Sequence, residues 1–126
     1  MQRNMDLVRT ILMRMEKSPA GWAPRDYGIL AFSPDEIDYH AHIMMQDDLI
    51  EPKSSSPKSV GVKLAAPTFV LTWKGHDFLE LARDQERWNR AKAIIAKVGG
   101  APVAVWMKVL TDLVLEGVDA IATGSS

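Results

Sequence analysis

Apolar residues recur along this chain in blocks of helical spacing, separated by short polar or proline- and glycine-bearing breaks. Over residues 5–17, Leu7, Val8, Ile11, Leu12 and Met15 fall on one face, the spacing of a helix buried along one side. Asn4 stands at the N-cap position, Asp6 falls in the first turn, and Arg14 and Lys17 fall in the last. These charges match the helix dipole. Ser18-Pro19-Ala20-Gly21 ends this helix. Residues 22–32 hold scattered apolar positions interrupted by Pro24 and Gly28, and predict only a short strand over 27–31.

A second helix start follows. Ser33 precedes Pro34, and Glu36 lies three residues after Ser33, the pattern of a capping box. Ile37, Ala41, Met44 and Met45 face inward, and Asp47-Asp48 closes the element. Residues 49–52 read as an extended exit and 53–59 as a polar loop tip. Residues 60–66 and 68–71 read as strands, with Pro67 at an edge or bulge. Strands around a basic, serine-rich tip make a wing-like hairpin.

Thr72 is placed to cap a long helix over 73–98, with Phe78, Leu81, Trp88, Ala91, Ile95 and Val98 on one face, Trp73 also assigned to the core, and Gly99-Gly100 as its stop. Pro102 opens a last helix running to about residue 116. It is apolar around most of its circumference, from Val103 through Trp106, Met107 and Val109 to Leu115. Such a helix needs cover on more than one side. Residues 120–126 predict a disordered tail. The predicted fold class is therefore mainly α (α+β): a single winged-helix domain over 1–119, with a small β-hairpin wing, then a long helix and a C-terminal apolar helix.

Composition narrows the possibilities. The chain has 126 residues, 47% of them hydrophobic and 25% charged, enough to bury a core without covalent staples. It has no cysteine, which excludes disulfides, thiolate metal sites and cysteine nucleophiles and suits a reducing compartment. The first residues lack the basic-then-apolar layout of a signal peptide. The most apolar stretch, 101–115, contains Lys108 and Asp112 and is shorter than the ~20 residues a bilayer crossing needs. A cytoplasmic protein with no membrane contact is expected.

Net charge is −1, but its distribution is uneven. Residues 34–48 carry Asp35, Glu36, Asp38, Asp47 and Asp48 with no Lys or Arg. Residues 51–74 carry Lys53, Lys58, Lys63 and Lys74 against Glu51 alone.

Four stretches resemble one family: the small bacterial, phage and prophage proteins catalogued as domain of unknown function 2513, winged-helix-like in outline. They are Met5-Asp6-Leu7-Val8-Arg9 with Ile11-Leu12, then Glu36-Ile37-Asp38-Tyr39-His40, then Leu71-Thr72-Trp73-Lys74-Gly75-His76-Asp77-Phe78-Leu79, and Trp88 with Lys97-Val98-Gly99-Gly100. The Leu71 to Leu79 run is the most specific. Where the family has Gly before Leu-Ile, this chain has Asp48. A left-handed helix stop suits Gly best but tolerates Asp, so the turn is expected to be kept. The resemblance implies a fold and a phage or mobile-element setting, and no activity.

Candidate chemistry is sparse. His40 and His42 are two apart on a helix and point to different faces. His76 could approach His40 across the core, but no third ligand is identifiable, so neither a metal nor another cofactor is expected. No phosphate loop, nucleophile elbow or zincin motif occurs, and enzyme activity is not expected. The acidic helix before the hairpin would repel phosphates where a winged helix normally reads bases. Contact with duplex DNA would then fall to Lys53, Lys58, Lys63 and Lys74, with help from Arg3, Arg9 and Arg14. The same lysines also suit a solvated hairpin edge. The expected function is a phage- or prophage-associated DNA-binding regulator. The alternative is a protein-interaction module, such as a host-factor inhibitor, that uses Asp35, Asp38, His42 and Asp47 on the acidic helix together with the C-terminal apolar helix. Val103, Trp106, Val109, Leu110 and Leu113 are the expected seam of a homodimer.

Overall fold

The computed structural model describes residues 1–18, 29–53 and 68–122. Among them are five helices and one two-stranded antiparallel sheet, a mainly helical α+β arrangement. The chain divides into two compact units, Met1–Asp77 and Phe78–Ser126. No helix among the described residues is long and apolar enough to cross a membrane.

The first unit opens with α1 (Met5–Glu16). Asn4 Oδ1 accepts the main-chain N–H groups of Asp6 and Leu7, at 2.9 and 3.3 Å, and so satisfies donors that a helix start leaves unpaired. The apolar stripe Leu7, Val8, Ile11, Leu12 and Met15 is buried as its spacing predicts. Ile29–Ala31, the described part of the strand predicted over 27–31, is not a strand.

Helix α2 (Pro34–Gln46) starts with the predicted capping box: Ser33 Oγ accepts from Glu36 N–H at 3.1 Å, and Glu36 Oε1 accepts from Ser33 N–H at 3.0 Å. It ends at a left-handed Asp48, φ 58°. Leu49 N–H reaches back to the Met44 carbonyl and Asp48 N–H to that of Met45, the paired bonds of a Schellman ending. Asp thus does here what Gly does at such ends more often.

Strands β1 (Ile50–Pro52) and β2 (Phe69–Leu71) pair antiparallel, with Ile50 opposite Leu71 and Pro52 opposite Phe69. The partner of residues 69–71 is thus the segment expected to be a plain extended exit. The predicted strand over 60–66, with Pro67, lies outside the described residues.

The helix predicted over 73–98 is two helices, α3 (Trp73–Ala82) and α4 (Gln85–Ala96). The break has a cause in Asp84. Its carboxylate accepts the Arg87 N–H at 2.7 Å and caps α4, the competition by which Asp ends one helix and starts another. Arg87 turns back and donates from Nη1 to the Leu81 and Glu80 carbonyls, at 3.0 and 3.4 Å, which covers the exposed end of α3. Gly99 and Gly100, at φ 83° and 117°, stop α4 as expected.

Helix α5 (Val103–Ala122) extends beyond the predicted end, so residues 120–122 are helical rather than tail. In this second unit Trp88 lies edge-on to Phe78 and stacks on Trp106, ring centroids 6.3 and 4.7 Å apart. Ala91, Ile95, Leu110 and Leu113 complete the apolar interior.

Candidate interaction surface

Helix α2 is held by one polar residue in an apolar interface. His40 is 1% exposed, between Ile37, Ala41 and Met44 on the buried face. Its Nε2 accepts the Asn4 main-chain N–H at 2.8 Å, and its Nδ1 lies 2.7 Å from the Glu36 carbonyl oxygen. An amide can only donate and a carbonyl can only accept, so the ring proton sits on Nδ1. Nε2 thereby joins α2 to the start of α1, while Nδ1 ties the ring to the backbone of α2 itself. His76 is exposed, so the two histidines do not meet, and no three His, Asp or Glu side chains among the described residues are grouped as a metal site.

Fixing the inner face of α2 fixes the outer one. Asp35, Tyr39, His42 and Gln46 are exposed on it and Asp38 is half-buried. The His42 ring nitrogen accepts from the Gln46 side-chain amide at 3.3 Å. Asp47, at the end of the helix, is directed elsewhere: Lys74 Nζ lies 3.2 Å from its Oδ1 and 3.2 Å from its carbonyl oxygen. The other carboxylate oxygen, Oδ2, is shielded from solvent and has no hydrogen-bond partner.

Lys74 belongs to a seam between the start of α3 and the turn after α2. Thr72 N–H donates to the Leu49 carbonyl, and its hydroxyl donates to the Asp48 carbonyl while accepting from Gly75 N–H at 3.0 Å. That cap was expected from the sequence. At Gly75 a Cβ would run into the Leu49 carbonyl oxygen, so only hydrogen fits this approach. Thr72, Lys74 and Gly75 therefore have structural work.

Three other residues of the same run face solvent. Trp73, His76 and Asp77 lie at i, i+3 and i+4 of α3, which puts them on one face, and all three are exposed, Trp73 at 85%. The expectation that Trp73 is a core residue is corrected here. Phe78, Leu79 and Ala82 hold the buried side of α3, and helical spacing sets Trp73 opposite them. That opposition was readable from the sequence, but tryptophan's size and apolarity pointed the other way.

The remaining predicted positions separate. Lys53 is exposed at the end of β1, whereas Lys58 and Lys63 lie outside the described residues. Val103, Trp106, Leu110 and Leu113, expected at a dimer seam, are buried within the second unit, and Val109 is half-buried. The four buried side chains lie in the interior of the second unit, where α4 and α5 pack together.

Comparison with known proteins gives the chain a family. Residues 2–101 match the family described as "Hypothetical protein (DUF2513)". The chain belongs to the DUF2513 family. A similar protein is an "Uncharacterized protein" of Haemophilus influenzae, 31% identical over 96 residues, covering 75% of this chain and 79% of that one. No solved structure matches. In this DUF2513 chain the matched residues take in the His40 clasp, the seam at Thr72–Gly75 and the exposed Trp73 face. They stop just before α5.

Proposed function

We propose that this chain is a non-catalytic binding protein, built on a winged-helix unit, that receives a basic side chain of a protein partner on the Trp73–His76–Asp77 face. The observation that carries the reading is the 85% exposure of Trp73 on the same face as Asp77, in a run where Thr72, Lys74 and Gly75 are occupied by structural contacts. Tryptophan is enriched among the residues that dominate protein interfaces. A guanidinium stacks flat on an indole while its N–H fork reaches a carboxylate one helical turn away. Asp35 and Asp38 on α2 add charge of the same sign and favour the approach of a basic surface.

The same features oppose docking of α2 on duplex DNA. That helix offers no Lys or Arg, and of the four lysines expected to contact DNA, Lys74 on α3 is drawn to Asp47. A regulator's contact would rest on Lys53, Lys58 and Lys63.

Affinity capture from lysate of the native host tests the proposal, with wild type compared to Trp73→Ala, Trp73→Phe and Asp77→Lys, each verified by melting to be folded. One partner retained by wild type and Trp73→Phe, and lost with the other two variants, is the expected result. Duplex retardation that weakens with salt and vanishes in Lys58→Glu/Lys63→Glu, with capture indifferent to Trp73, would replace this reading with the regulator.

A further inference from the structure

Helix α5 is longer than the helix it packs on. At 1.5 Å per residue its 20 residues run to roughly 30 Å, against roughly 18 Å for the 12 residues of α4. The buried residues of α5 stop at Leu113, and every residue from Leu115 to Ala122 is exposed. This overhang is not polar. Leu115, Val118 and Ile121 are 50%, 51% and 81% exposed.

The overhang has a pattern. Met107, Thr111, Val114, Val118 and Ile121 alternate in steps of four and three, the repeat by which one helix packs along another. Lys108, Asp112, Glu116 and Asp119 lie off this line. Lys108 is paired with Asp112 at 3.2 Å and Glu116 with Arg90 at 3.5 Å, so these charges are directed away from the line.

We infer that the occupant of this line is a second copy of the same helix, antiparallel, about a two-fold axis beside residue 116. In that register Val114 meets the partner's Val118, Thr111 meets the partner's Ile121, and Leu115 lies against the partner's Leu115. From Thr111 to Ile121 the pattern is its own complement, with no charge opposite any apolar position, and Met107 lies outside this register. The net charge of −1 leaves two copies little mutual repulsion. The extent of the contact sets the strength. Leu115, Val118 and Ile121 are the large apolar side chains half or more exposed on the overhang, few beside the roughly 20–30 residues a side of stable interfaces. The dimer is therefore weak and concentration-dependent, and it holds two copies of the first unit together. This inference does not depend on the Trp73 face.

Sedimentation velocity on the full chain tests it. The mass should rise from 14.0 kDa at about 10 µM toward twice that value at about 1 mM. Leu115→Glu and Val118→Glu, both on the overhang, should hold it at the monomer value with unchanged helix content and melting. Because the chain has no cysteine, single-cysteine variants report the register. A short bifunctional thiol reagent should link Leu115→Cys to its own copy but not Ile121→Cys, whose two copies lie roughly 15 Å apart along the axis. A mass of one chain up to about 1 mM, association indifferent to Leu115→Glu, or efficient linking through Ile121→Cys alone, overturns the inference.

Discussion

The Lys74 ammonium lies 3.2 Å from the Asp47 carboxylate and 3.2 Å from the Asp47 carbonyl oxygen, joining the start of α3 to the end of α2. Both side chains remain about two-fifths exposed, at 41% and 44%. Water and salt therefore screen most of the attraction. Lys74→Met should cost no more than about 1 kcal/mol in urea unfolding, and the loss should shrink further in high salt. A loss several times larger would mean that the pair, and not the hydrogen bonds of Thr72, holds this seam.

Gly75 should be far less tolerant. Its neighbour is a backbone carbonyl, which cannot swing aside as a flexible side chain can. Gly75→Ala should cost about 3 kcal/mol, at the upper end for overpacking, despite the better helix propensity of alanine. Chemical denaturation compared with Lys74→Met checks the order, and the two costs must not be alike.

His40 should stand out in nitrogen-15 spectra. With a main-chain amide donating to Nε2 and a carbonyl accepting from Nδ1, the ring should report its proton on Nδ1 and a bare Nε2. His40→Leu keeps the apolar volume but leaves the partly buried Asn4 amide without its acceptor, and should lower stability by about 1–3 kcal/mol. The Nε2-protonated form in the spectrum would contradict the clasp.

The second unit should depend on α5, although the family match ends before it. Trp88 lies within residues 2–101 and Trp106 outside them, yet their rings stack at 4.7 Å. Trp106→Ala should cost about 3–5 kcal/mol. A chain ended at Ala101 should lose amide-exchange protection along α4 and expose Trp88, seen as red-shifted emission. Retained protection on α4 in that shortened chain would refute the dependence.

Legibility from the sequence followed the range of the forces involved. The caps at Asn4, Ser33 and Thr72 and the stops at Asp48 and Gly99-Gly100 depend on a few neighbouring residues, and these features were readable. The inner stripe of α1 was too, because burial repeats with the helix period. The break at Asp84 was missed although Asp84-Gln85-Glu86 carries an N-cap and an acidic first turn. Apolar spacing continued across it and outweighed the cap. Longer-range features left no local trace. Nothing near Lys74 announces Asp47, and nothing near His40 announces the Asn4 amide. The acidic outer face of α2 was legible as a surface, but the exposed face of α3 was hidden by the habit of assigning tryptophan to the interior.

The clasp between α1 and α2 has one end that no side chain encodes. The cap at Asn4 depends on its carboxamide, whereas the tie to His40 depends only on its main-chain N–H. Relatives can therefore vary at this position, at the cost of a helix cap, and still keep their first two helices joined. Proline alone cannot, since it has no N–H to give. The constraint on position 4 is thus a single forbidden residue, which a comparison of sequences would record as freedom.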